Sequence, residues 1–156
     1  MFTYLKLLFF NPRTISELSS RCNDPKKIGF WLYNHIHYVS DIKKHKVSDY
    51  WQTWEETFRD RSGDCEDISV LAYEVLKRNK FQPYILSVWG KKDYKIDAHA
   101  VCAVKWNNVW YHVSNWGCKQ TKAKTLREVA DYIYPIYVRV NMKDTEGNIL
   151  HIPNNI

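Results

Sequence analysis

The sequence predicts an α+β domain, with helices first and an antiparallel sheet after them. Three observations carry this. Ile28, Trp31, Leu32 and Ile36 recur at helical spacing, and Ile68, Leu71, Ala72, Val75 and Leu76 do so again. Beyond Pro83 the period drops to two. Within that stretch "WNNVW" sets two asparagines between alternating segments, which reads as a two-residue hairpin turn. Helical segments followed by paired strands define the α+β class. At 156 residues the chain suits one compact domain, 1–156, large enough to bury a core. With 45% hydrophobic and 15% aromatic residues it is not a disordered chain.

The opening "MFTYLKLLFFNPR" is apolar but interrupted at Lys6, and it lacks a basic start and a small-residue cleavage site. No apolar run reaches the ~20 residues of a membrane span. A cytoplasmic location and no membrane partner are therefore expected. In "DPKKIGFWLYNHIHY", Asp24 caps a helix that has Pro25 at its first position. "HYVSDIKKHKVSDYWQTW" reads as a polar loop, and "EETFRDR" as a short helix ended by Ser62-Gly63. Asp64 then caps the clearest helix, with Cys65 at its first position and Asn79 at its end. "PYILSVW", "HAVCAVKW" and "VWYHVSN" are strands. Thr125 and Glu128 have capping-box spacing and predict a short helix. "IYVRVN" is a last strand with Ile136, Val138 and Val140 on one face.

The net charge is +6, and the lysines fall in scattered loop-like clusters, so they read as solvated surface rather than a nucleic-acid patch. No nucleic-acid-binding signature accompanies them. The four cysteines, at 22, 65, 102 and 118, form no CxxC pair and read as reduced thiols.

Cys65 stands among Asp64, Glu66 and Asp67 in "RSGDCEDISVLAYEVL". A helix start lowers a thiol's pKa and neighbouring carboxylates raise it by a similar amount, so the helix alone does not make a thiolate. A histidine partner does. With Asn107-Asn108 as the turn, Trp106 faces Val109. Counting outward, Val101 faces Ser114 and His99 faces Trp116. Ser114 is then diagonal to His99 and within reach of its ring, whereas Asn115 points to the other face unless a bulge intervenes. His99, Cys102, His112 and Cys118 are zinc-ligand types. Alternation puts His99 and Cys102 on opposite faces, and the spacing has no paired knuckles, so no metal is expected.

"YWQTWEETFRDRSGDCED" followed by "DAHAVCAVKWNNVWYHVSNWG" resembles the transglutaminase-like superfamily, most of all its small bacterial and phage cysteine proteinases. Gly63 to Asp67 match its Gly-Asp-Cys-Glu/Asp-Asp block, His99-Ala100 its His-Ala strand, and Trp110 its Trp strand. The resemblance runs from about residue 28 to 116. It implies a papain-like fold, with the nucleophile at a helix start packed on an antiparallel sheet. It further implies Cys65 as nucleophile, His99 as general base and acid, and a third residue orienting the imidazole. The family's Asp falls on Ser114, followed by Asn115, so these two are the candidates for that role. The oxyanion hole needs the Cys65 N–H and a second donor upstream. Gln52 and Trp51 are the candidates, with Gln52 favoured by analogy with papain-like sites. Asp67 is expected to do structural work, pairing with Arg61.

The implied function is a thiol peptidase or amidase acting on peptide or isopeptide bonds through a thioester. Its partner is a protein or peptide substrate, and its chemistry needs no cofactor. The alternative is a catalytically weak or inactive transglutaminase-like module that binds a partner. Stand-alone members of this family are often phage-encoded, which implies a phage or bacterial source.

Overall fold

The computed structural model describes residues 2–92 and 94–153. Its helices are α1 (Phe2–Leu8), α2 (Ile15–Arg21), α3 (Pro25–His35), α4 (Asp41–Lys44), α5 (Trp54–Asp60) and α6 (Cys65–Arg78). A two-stranded parallel ladder pairs β1 (His37–Tyr38) with β2 (Ser62–Gly63). The main sheet holds β3 (Pro83–Lys92), β4 (Lys95–Trp106), β5 (Val109–Ser114), β6 (Gly117–Gln120), β7 (Tyr137–Lys143) and β8 (Ile149–Leu150). Their order is β6-β5-β4-β3-β7-β8, with every pairing antiparallel. The expected α+β architecture is therefore present, with the cysteine helix against an antiparallel sheet.

Local chemistry explains the boundaries. Asp24 caps α3 by accepting the Lys27 N–H at 2.9 Å, and Pro25 opens the helix. Thr53 and Glu56 form a capping box on α5, which stops at Arg61 in a left-handed conformation, one residue before the Ser62-Gly63 expected from sequence. Asn107 and Asn108 take φ of 51° and 61°, the turn that a tight hairpin requires. Trp106 pairs with Val109 and Cys102 with Val113, so the expected β4–β5 register holds.

Three expectations change. The loop after α3 contains a helical turn, α4, because the buried Asp41 carboxylate gathers it by accepting the Tyr50 N–H. The helix expected after Thr125 is a 3-10 segment, Arg127–Tyr132. There Glu128 reaches back to the Lys124 N–H rather than to that of Thr125. The strand expected over "IYVRVN" is β7, which carries a bulge: Trp89 pairs with Arg139 and Gly90 with Tyr137, which leaves Val138 unpaired. Ile136 and Val138 are consequently exposed, and only Val140 of the expected apolar face is buried.

The sheet is covered on both faces. On one, Ile28, Trp31, Leu71 and Val75 of the helices meet Cys102, Val104 and Val113. On the other, Leu86, Val101 and Trp110 meet Leu126, Val129 and Tyr134 of the C-terminal segment. α3 comes so near the edge strand that a Cβ on Gly29 would lie 2.5 Å from the Cys118 Cβ. Among the described residues no helix is long and apolar enough to cross a membrane.

Candidate active site

Asp67 is the hub that holds the start of α6. Its carboxylate accepts the backbone N–H of Asp64 at 3.0 Å and that of Gln52 at 2.8 Å, together with the Gln52 side-chain amide. β1 and β2 brace the same point, where the Val39 N–H donates to the Gly63 carbonyl at 3.0 Å. The Gly63 motif position is a matter of space: an added Cβ would lie 2.6 Å from the Asp67 Cβ and 2.7 Å from the Gln52 Nε2. The expected Asp67–Arg61 pair is not formed. Arg61, turned away by its left-handed backbone, lies over the Trp31 and Phe58 rings at 4.9 and 4.2 Å and donates to the Pro12 carbonyl.

Cys65 occupies the first position of α6, as the sequence predicts. Its thiol donates to the Glu66 carboxylate, with Sγ 3.0 Å from Oε2. Burial pushes the thiol pKa up, Glu66 pushes it further, and a backbone N–H from Ala100 opposes them. The resting sulfur therefore holds its proton at neutral pH. Burial also raises Asp64 and Glu66, whose carboxyl groups hydrogen-bond each other. The helix-start effect is thus outweighed by desolvation and by the adjacent carboxylate.

His99 reaches the site from β4. It is 6% exposed, and its ring stacks on Trp116 with centroids 4.0 Å apart and planes 20° from parallel. That contact is the His99–Trp116 apposition expected from the hairpin register. Cys65 and His99 line one cleft of about 360 Å³, together with Trp51, Tyr38, Trp89 and Lys143. The Tyr38 phenol is pushed up to about 12, by burial first and then by Cys65 and the nearby carboxylates, so it remains a proton donor.

The other sequence candidates lie elsewhere. Ser114 is wholly buried, and its hydroxyl accepts the Trp116 N–H at 3.1 Å, bracing the turn that carries Trp116. Asn115 follows in that turn, and its Oδ1 is buried with no hydrogen-bond partner among the described residues. Neither lines the cleft. Gln52 is also outside it and wholly buried. Its Nε2 donates to Asp67 and to the Ser62 carbonyl, and its Oε1 accepts from Lys44. Both amide hydrogens are engaged, so of the two upstream donors only Trp51 faces the cleft.

Carboxyl oxygens of Asp41, Asp64 and Asp67 lie within 4.8 Å of one another, and hard oxygen ligands of this kind suit a divalent cation. Both Asp67 oxygens already accept N–H donors, which makes this cluster first a brace for the helix start. The zinc-type residues diverge: Cys102 belongs to the helix-side core, while His99 lines the cleft. Glu66, Tyr38, Trp89 and Lys143 are cleft residues that sequence reasoning missed. Glu66 sits inside the recognised motif, whereas Trp89 and Lys143 carry no local signal.

A family model described as a transglutaminase-like domain matches residues 17–131. No curated protein matches the chain. Among solved structures, a cysteine protease candidate from Cytophaga hutchinsonii aligns with 14% identity and a TM-score of 0.48, over 97% of this chain and 60% of its own. LapG of Legionella pneumophila aligns with 16% identity and a TM-score of 0.46, over 75% of this chain and 64% of its own. The chain thus spans less than two thirds of the length of either structure.

Proposed function

The chain belongs to the transglutaminase-like domain family, and from that premise we propose that it is a cysteine-dependent amide hydrolase acting on peptide or isopeptide bonds. The whole of residues 1–156 is taken as one such domain. The observation that carries the reading is the shared cleft of Cys65 and His99, with the imidazole held flat against Trp116.

In this mechanism Cys65 Sγ attacks the scissile carbonyl carbon while His99 takes the thiol proton. The C–N bond then breaks, His99 returns the proton to the leaving amine, and a thioester remains on Cys65. Water, deprotonated by His99, attacks the thioester, and Cys65 leaves with the proton restored. The Cys65 backbone N–H and the Trp51 indole are the donors to the developing oxyanion. Gln52 is the weaker choice because its amide hydrogens are spent on Asp67 and Ser62. Asn115, with an unpartnered Oδ1, is better suited than Ser114 to orient His99, since the Ser114 hydroxyl already serves the Trp116 N–H.

A second reading is a weak or inactive module that binds a protein. The Glu66 carboxylate that keeps the Cys65 thiol protonated favours it, as does a serine where the family has an aspartate. Incubation with a proteome-derived peptide pool separates the two. New N-termini produced by the wild type, and absent with Cys65→Ala and His99→Ala, support the enzyme. No cleavage, or the same cleavage by Cys65→Ala, overturns it.

A further inference from the structure

α1 and the residues after it expose what a helix of a globular domain normally buries. Of Tyr4, Leu5, Leu7, Leu8 and Phe9, only Leu7 is buried; Phe9 is 79% exposed and Leu5 is 55% exposed. Leu5, Leu8 and Phe9 follow one another at i, i+3 and i+4, so they form one outward stripe. The cleft chemistry does not use them. Contiguous exposed apolar surface of this kind marks a contact with something else.

The charge beside the stripe says what that contact is. A groove of about 700 Å³ lies against α1, with Leu7, Phe9 and Phe10 as its apolar lining and Lys6, Arg21 and Lys27 as its charged lining. No carboxylate lines it. Lys27 is held by Asp24 at 3.2 Å. Among the described residues Lys6 and Arg21 are in no ion pair, and the Arg21 guanidinium lies 5.8 Å from the Phe10 ring centroid. The chain as a whole carries +6.

We propose that this face docks on an anionic lipid bilayer. Phe9, Leu5 and Leu8 seat at the boundary of the acyl region, and Lys6 and Arg21 meet the lipid phosphates. An apolar stripe flanked by cations is the chemistry of an element lying in a membrane interface rather than crossing it. A second copy of the chain fits less well. A two-fold contact would set Lys6 and Arg21 of one copy against the same cations of the other. The sequence, which offers no span, leads to the expectation of no membrane partner; the exposure of α1 is what changes that expectation.

The test is sedimentation of the full chain with vesicles of phosphatidylcholine alone and of phosphatidylcholine mixed with phosphatidylserine at about three to one. Binding is expected to the mixed vesicles only and to fall as salt is raised. Phe9→Ser should weaken it about tenfold, through lost apolar burial. Lys6→Ala should weaken it about fivefold, through one lost charge at the surface. Both side chains are exposed, so each variant should melt with the wild type. No binding to the mixed vesicles, or binding that neither substitution weakens, overturns the proposal. A concentration-dependent dimer that Phe9→Ser dissolves also overturns it and assigns the face to a second copy. None of these results bears on Cys65 and His99.

Discussion

Replacing Glu66 by Gln isolates the charge that holds the Cys65 proton. With Sγ and Oε2 3.0 Å apart, a thiolate and a carboxylate there repel by about 1.4 kcal/mol in water and about 5.5 kcal/mol at an effective dielectric of ~20. One pKa unit corresponds to about 1.4 kcal/mol, so the glutamine should lower the thiol pKa by about one unit at the least and about four at the most. The gain in thiolate is partly offset because a less basic sulfur is a poorer nucleophile. The net acceleration is about threefold for each unit. The assay is iodoacetamide alkylation followed from pH 6 to 10 by intact mass. Peptide mapping separates Cys65 from Cys118 and from the buried Cys22 and Cys102. The rate at pH 8 should rise about threefold or more, with the whole profile displaced to lower pH. A rate at pH 8 that stays the same or falls would refute the view that Glu66 sets the resting state of the sulfur.

Gly63→Ala should lower stability by about 1–3 kcal/mol through overpacking, because its Cβ has no room beside Asp67 and Gln52. A thermal melt should show a fall of several degrees, and an unchanged melt would contradict the crowding. Asp67→Ala should cost about 2–4 kcal/mol by leaving the buried Gln52 and Asp64 N–H groups unpartnered, which urea unfolding measures. His112 is held down at about 4 by burial and then by Lys119, against an ordinary value of 6.5. A depressed histidine contributes stability above its unfolded pKa and loses it as pH falls toward the folded one. His112→Phe should therefore gain on the wild type by roughly 3 kcal/mol between pH 7 and pH 4. A constant difference across that range would show that His112 is not buried neutral.

The elements that sequence reveals are those with dense local signals. α6 is marked by its cap, its apolar stripe and its end at Asn79. The Asn107-Asn108 turn fixes a register that carries His99 to Trp116, so one hairpin places the proposed general base. α2 has Thr14 and Glu17 at capping spacing, but seven residues are too few to show a period. β6 and β8 are shorter still. Val138 reads as a core position because alternation cannot register a bulge set by the pairing partner. Gln52 resembles a loop surface residue and is buried because Asp67, 15 residues on, needs its donors. The cleft wall beyond Cys65 and His99 is assembled from distant segments. Lys143, for one, arrives on the last long strand with its amine on the Gly147 carbonyl, and no local pattern announces that.

The pairing of Cys65 with His99 is tested most directly by the alkylation rate of Cys65 in the wild type and in His99→Ala, measured below pH 8. An imidazolium beside a thiolate shifts its pKa by about one to three units, so the wild type should react at least several-fold faster, with a profile that the alanine variant moves to higher pH. Superimposable profiles would mean that the two residues share a cleft without sharing a proton, and the proposed hydrolase would fall.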